Sequence, residues 1–301
     1  MAVRSLTLTG PLDLMRTLGP LRHGPYDPTI RLAPTEVWRT SRTPAGVSTL
    51  HARLAGSTVE AEAWGPGAAW ELDHLPDLLG LTDRPDALVP RHPLVGDLVR
   101  RFPGVRLTRT GRVFEALVPG VIEQKITGVE AGRIYRRLVW SHGSPAPGPG
   151  ASAGLVVPPE PRRLATLPYH AYHPLGLEQR RADVLRRVGV LAARLEASLA
   201  EGPEQARVRL QAVAGIGPWT AAEATRIALG DPDAVSVGDF HLPSLVAFSL
   251  AGETEADDAR MLELLEPYRG QRARVVRLLE LGGRSRARRA PRMAARTIER
   301  L

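Results

Sequence analysis

The chain has 301 residues, with 40 Lys plus Arg against 32 Asp plus Glu and no cysteine. That length can bury a sizeable core in two or three domains, and the net charge of +8 suits a polyanionic partner. The missing cysteines exclude disulfides, thiolate zinc sites and thiolate-held iron–sulfur clusters.

Lys125 is the only lysine. The positive charge is therefore almost all arginine, and with so many Ala, Gly and Pro residues it reflects base composition as readily as a nucleic-acid partner. No secretory signal and no apolar run of about 18 residues is visible. A cytoplasmic protein with no membrane contact is expected.

The pattern is that of an α+β protein. Residues 1–84 read as an antiparallel sheet domain with covering helices. Ser5–Thr9 and Thr29–Leu32 alternate, and Val47–Leu54 and Thr58–Trp64 flank the hairpin signal Ala55-Gly56-Ser57. Val59, Ala61 and Ala63 share one face while Glu60 and Glu62 share the other, as in a sheet with one wet face. Leu12–Leu18 and Leu75–Leu79 are the helical candidates for its dry face.

From 85 to 283 the pattern turns helical. Leu94, Leu98 and Val99 mark a helix that ends near Phe102-Pro103-Gly104, followed by the apolar segment Val113–Thr127 and a helix over Val129–Trp140. The tract 141–161, rich in Pro, Gly, Ser and Ala, reads as a mobile loop. Helices resume over Arg162–Leu167, Glu178–Leu199, Glu204–Val213, Pro218–Leu229, Leu242–Leu250, Ala256–Leu265 and Arg272–Leu279. The tail 284–301 carries Arg284, Arg286, Arg288, Arg289, Arg292, Arg296 and Arg300. It is either a solvated basic arm or a phosphate contact.

Two features carry chemistry. The run Leu210–Val213 stops at Ala214-Gly215-Ile216-Gly217, and Pro218 opens the next helix, where its fixed φ and missing N–H fit. The glycines permit a tight turn whose N–H groups point outward at a helix N-terminus, a corner that favours an anion such as a phosphate. The second feature is Asp239, within the apolar stretch Val235–Pro243. A carboxylate there can cap the following helix, and a cap also keeps it ionised.

Hairpin, helix and aspartate in this order resemble the helix-hairpin-helix DNA glycosylases. Phe114-Glu-Ala-Leu-Val118, Ile122-Glu-Gln-Lys-Ile-Thr127, Leu167-Pro168, Leu175-Gly-Leu177 with Arg180-Arg-Ala182, and Pro267-Tyr-Arg-Gly270 leading into Leu278-Leu279 extend the likeness over about residues 85–280, toward the alkylated-base enzymes of AlkA type. The N-terminal sheet domain also resembles AlkA.

The resemblance implies a monofunctional glycosylase of base excision repair that flips a damaged base, an alkylated purine by preference, from duplex DNA. Asp239 would be the carboxylate that stabilises oxocarbenium-like charge on the sugar. Gly215, Ile216, Gly217 and Thr220 would grip the strand, and Trp219, Glu223, Phe240 and His241 would line the base pocket. Members that also cut the backbone carry a Schiff-base lysine where this chain has Trp219, so no lyase activity is implied.

Gln124 and Lys125 map to the wedge loop that fills the gap left by an extruded base. AlkA-type enzymes use an apolar leucine there. Here Lys125 fills the gap with its stem, or it contacts a phosphate while Gln124 or Ile126 fills. Glu223 stands where another pocket aromatic is usual; it is a solvated charge or a reader of a base edge, and Trp219 and His241 also have ordinary structural readings. No cofactor is implied beyond a monovalent cation at the hairpin carbonyls. A monomer acting on the nucleoid is the expectation. The alternatives are the same scaffold acting on an oxidised, deaminated or bulky lesion, and a non-catalytic DNA-damage-binding protein.

Overall fold

A computed structural model describes residues 1–284. The arginine-rich tail noted in the sequence lies outside these residues, apart from Arg284.

Five antiparallel strands open the chain: β1 (Ala2–Thr7), β2 (Ile30–Ala33), β3 (Glu36–Thr43), β4 (Gly46–Ala55) and β5 (Thr58–Trp64), in the order β1-β5-β4-β3-β2. The pairing puts Leu54 opposite Val59, Ala52 opposite Ala61 and Leu50 opposite Ala63, so these side chains share one face, packed beneath α1 (Leu14–Leu18), α2 (Ala68–Asp73) and α3 (Leu75–Leu78). The alternation of β5 thus faces as its sequence implies. Strand β3 and helix α2 were not anticipated. Polar Arg39, Thr40, Ser41 and Thr43 are buried in β3, which hides the period-2 signal.

The face expected to be wet is partly covered, and the tract 141–161 covers it. That tract is not the loose loop its composition suggested. Helices α4 (Pro93–Arg101), α5 (Val113–Ile122) and α6 (Gly128–His142) precede it, and within it β6 (Ser144–Pro145) pairs with β7 (Val156–Val157). Thr40 Oγ1 donates to Val156 O at 2.8 Å and Thr49 Oγ1 to Pro147 O at 2.8 Å, while Arg42 Nε donates to Pro158 O at 3.1 Å. Side chains of the sheet satisfy carbonyls that Pro and Gly residues leave bare.

The same sheet docks onto the helices through a buried ion cluster. Arg39 pairs with Glu71 at 3.0 Å and with Glu115 of α5, while Ser41 and Ser48 donate to the same two carboxylates.

After the ribbon come α7 (Pro161–Thr166), α8 (Tyr169–Tyr172), α9 (Gln179–Glu196), α10 (Pro203–Gln211) and α11 (Pro218–Ala228). With α5 and α6 they bury a second core around Leu117, Leu138, Leu185 and Ala224. Helix α9 caps α5 at both ends. Glu196 accepts from Val113 N at 2.9 Å and Phe114 N at 3.0 Å, and Arg181 donates to Ile122 O at 3.0 Å. Each charge sits at the helix end whose dipole it complements.

A third core joins α4 to α12 (Leu242–Ala251), α13 (Asp258–Leu265) and α14 (Arg272–Gly282). The segment 229–241 therefore crosses from the second core to the third. No helix among the described residues is long and apolar enough to cross a membrane.

Candidate functional site

The hairpin between α10 and α11 uses its two glycines differently. Gly215 has φ +97°, and a Cβ there would lie 2.3 Å from Val184 Cγ2 of α9. Only glycine can make that turn and that approach. Gly217 has φ −90° and ψ 179°, extended backbone open to any residue, and a Cβ on it would meet nothing within 4 Å. It faces open space.

Ile216 anchors the corner in the core at 4% exposure, and its N–H is used internally, by Val213 O at 2.9 Å. The N–H groups of Gly217 and of the first turn of α11 are what remain for an anion. Two carbonyls of the hairpin are engaged: Arg187 Nη1 donates to Ala214 O, and Gln124 Nε2 to Gly215 O at 3.0 Å. A monovalent cation bound to those two oxygens would have to share them. Among the described residues no group of three or more His, Cys, Asp or Glu side chains could hold a metal ion.

Asp239 lies at the crossing between the two helical cores. Its Oδ1 accepts from His241 N at 2.7 Å and Leu242 N at 2.9 Å, which caps the first turn of α12. Its Oδ2 accepts from Trp219 Nε1 at 3.0 Å. Trp219, half-buried in the first turn of α11, thereby ties the hairpin helix to the carboxylate. Three donors fix one half-buried carboxylate, one of them from the first turn of the helix that the hairpin opens.

The turn before Asp239 is held as well. Asp258 Oδ2 accepts from Gly238 N at 3.0 Å, Asp239 N donates to Ser236 O at 3.2 Å, and Ser236 Oγ donates to Glu223. Glu223, one turn beyond Trp219, also pairs with Arg226. Burial works against the Arg226 charge, but Glu223 and Glu280 outweigh it and hold its pKa above the ordinary arginine value. So the structure brings Trp219, Glu223 and Asp239 together on one face of α11 against the 235–239 turn.

Phe240 and His241 lie elsewhere on the same loop. Phe240 is 89% exposed, with its ring 5.0 Å from that of exposed His241 in an edge contact. It walls no enclosed pocket. Thr220 is buried at 2% and accepts from Gln124 Nε2 at 2.9 Å; it fastens the loop between α5 and α6 rather than meeting solvent. Lys125, at the tip of that loop, is exposed and has φ +56°, the one positive φ of a non-glycine among the described residues.

Sequence reasoning missed Arg187, Ser236, Arg226 and Asp258. Arg187, Ser236 and Asp258 act through tertiary contacts with residues between 13 and 27 positions away, and Arg226 through an ion pair that spacing i, i+3 alone could have suggested.

No family model matches the chain. A Mycobacterium tuberculosis protein described as a "Probable bifunctional transcriptional activator/DNA repair enzyme AlkA" is 30% identical over 173 residues, 55% of this chain and 34% of that protein. The match thus spans about a third of the relative's length. Among solved structures, a 3-methyladenine DNA-glycosylase from Archaeoglobus fulgidus superposes with TM-score 0.74 at 21% identity, covering 92% of this chain and 97% of that one. A Clostridium acetobutylicum 8-oxoguanine glycosylase/lyase in complex with double-stranded DNA superposes with TM-score 0.63 at 14% identity, covering 83% and 96%.

Proposed function

The chain has the fold of the helix-hairpin-helix DNA glycosylases in its AlkA-like form, and from that premise we propose that it is a monofunctional DNA glycosylase of base excision repair. Duplex DNA sits on the Gly217 corner, with a phosphate on the free N–H groups of the hairpin and the first turn of α11. The damaged nucleotide is unstacked, and Lys125 at its loop tip enters the space left behind. Asp239 then faces the sugar. As the glycosidic bond breaks, positive charge develops at C1′, and the fixed carboxylate stabilises it while orienting water on the opposite side of the departing base.

The observation that carries this reading is the triple hold on Asp239. A carboxylate used only as a cap needs the two backbone donors; the third, from Trp219 Nε1 at 3.0 Å, fixes the second oxygen and links it to the hairpin. An alkylated purine is the favoured substrate, because a cationic base leaves with little protonation. Trp219 in place of a Schiff-base lysine supports base release without strand cleavage.

A second reading changes only the lesion. Glu223, Arg226 and Ser236 form a hydrogen-bonded cluster where several aromatics would suit a cationic base. That cluster favours a neutral oxidised or deaminated base read by its hydrogen-bonding edge. Mass analysis of what the protein releases from alkylated genomic DNA decides: methylated purines support the first reading, other bases from a lesion panel support the second, and intact DNA throughout refutes both.

A further inference from the structure

Three successive residues of the loop between α5 and α6 have three different fates. Glu123 Oε1 lies 3.4 Å from His23 Nδ1 of the sheet domain. Gln124 is bonded to the hairpin, through Gly215 O and Thr220 Oγ1. Lys125 has no such tether and takes the left-handed conformation at the tip. Beyond it Thr127 Oγ1 caps α6, accepting from Glu130 N at 3.2 Å.

His23 is itself built in. Buried Asp27 accepts from His23 N at 2.7 Å and from Thr29 N at 2.8 Å, which shapes the 23–29 turn. The imidazole packs edge-on against Tyr135 of α6, centroids 4.7 Å apart. Gly132 of α6 clears the space: a Cβ there would stand 3.0 Å from His23 O. The turn thus lies directly on α6 and aims His23 at the end of α5.

We infer that His23 is a positioning residue for the DNA-inserting loop. By holding Glu123 it lets the sheet domain set where Lys125 stands, and loss of its proton loosens the loop. This rests on the reading of that loop as the DNA-inserting element.

Burial opposes a charge on His23, but its bond to Glu123 and the charges of Asp27, Glu123 and Glu115 outweigh burial and raise its pKa above the ordinary 6.5. The groups facing it are Asp27 on its own turn, Glu115 on α5, Glu123 just after α5, and Tyr135 on α6; Arg226 of α11 lies in the field of Glu123. A raised folded-state value means that the pair is fully formed below pH 6.5 and is lost as pH rises through the higher, folded value.

The test uses the full chain, His23→Ala and His23→Gln. Protection of residues 123–127 against hydrogen exchange is measured without DNA. Emission of 2-aminopurine beside a stable abasic analogue is measured in a bound duplex. Both are followed from about pH 6 to 8.5. Wild type should lose protection and 2-aminopurine unstacking as pH rises, by about fivefold, the low end of a typical coupling. His23→Ala should be low and flat at every pH while still melting cooperatively, and His23→Gln flat at an intermediate level. A pH response in His23→Ala equal to that of wild type overturns the inference. If no protein, wild type included, binds the duplex, the DNA-glycosylase reading fails instead, and exchange alone decides whether His23 holds the loop.

Discussion

Adding one methyl group to each hairpin glycine separates packing from binding. In Gly215→Ala the new Cβ would lie 2.3 Å from Val184 Cγ2 and 3.4 Å from Val184 Cβ and Cγ1. Val184 is buried at 3% and β-branched, so it has no easy rotamer to retreat to. The overlap costs about 1–3 kcal/mol, and an L residue at φ +97° adds roughly 1–2 kcal/mol. The chain should therefore lose about 2–5 kcal/mol of stability. Gly217→Ala meets neither obstacle. Its φ of −90° suits alanine and nothing lies within 4 Å, so stability should stay within about 0.5 kcal/mol or rise slightly. Its methyl instead occupies the space a phosphate needs, and loss of one hydrogen bond to a charged acceptor should weaken duplex binding by roughly 10- to 100-fold. Denaturant melts and anisotropy titrations of a labelled duplex at several salt concentrations read the two effects. Wild-type affinity in Gly217→Ala would refute the strand-facing assignment of the corner, and a wild-type melt in Gly215→Ala would refute the packing argument.

Other outcomes follow from the same geometry. Trp219→Phe keeps an aromatic side chain, smaller than indole, but removes the N–H whose hydrogen bond Asp239 Oδ2 accepts. Single-turnover base release should fall about tenfold, the lower end expected for one hydrogen bond to a charged group, with duplex affinity unchanged; an unchanged rate would show that the two backbone donors suffice. Arg39→Met leaves the Glu71 and Glu115 carboxylates buried without their cation and should cost about 3–5 kcal/mol in a denaturant melt. Asp233 bonds Arg272 and the N–H groups of Gly270 and Arg272. Burial opposes its charge, but these donors win and lower its pKa below 3.8. Its contribution is present above pH 3.8 and is lost as pH falls through the lower, folded value, so Asp233→Asn should flatten acid destabilisation in that window.

Much of this was legible in the sequence where a local rule acts alone. The β5 alternation, the hairpin glycines, Pro218 and the capping aspartate each declare themselves within a few residues. Strand β3 did not, because its polar residues are buried by partners far along the chain: Thr40 bonds Val156 O, and Arg39 meets Glu71 and Glu115. For the same reason the Pro- and Gly-rich tract looked loose although the sheet pins it. At the site, the pairing of Trp219 with Asp239 and of Glu223 with Ser236 depends on how α11 meets the crossing segment, which no spacing rule specifies. The exposure of Phe240 was hidden too, since an aromatic in an apolar stretch reads as buried.

In the proposed function Asp239 carries the chemistry while the hairpin carries the binding. Asp239→Asn preserves the carbonyl that caps α12, removes the charge and takes away the acceptor of Trp219 Nε1. Single-turnover base release from a methylated duplex, measured with duplex affinity on the same preparation, tests it most directly. Release should fall by about 10²–10³-fold or more, with duplex affinity close to wild type and stability lower by about 1–3 kcal/mol, because the Asn amide nitrogen cannot accept from Trp219 Nε1. Base release by Asp239→Asn at the wild-type rate, in a protein that folds and binds normally, would contradict it.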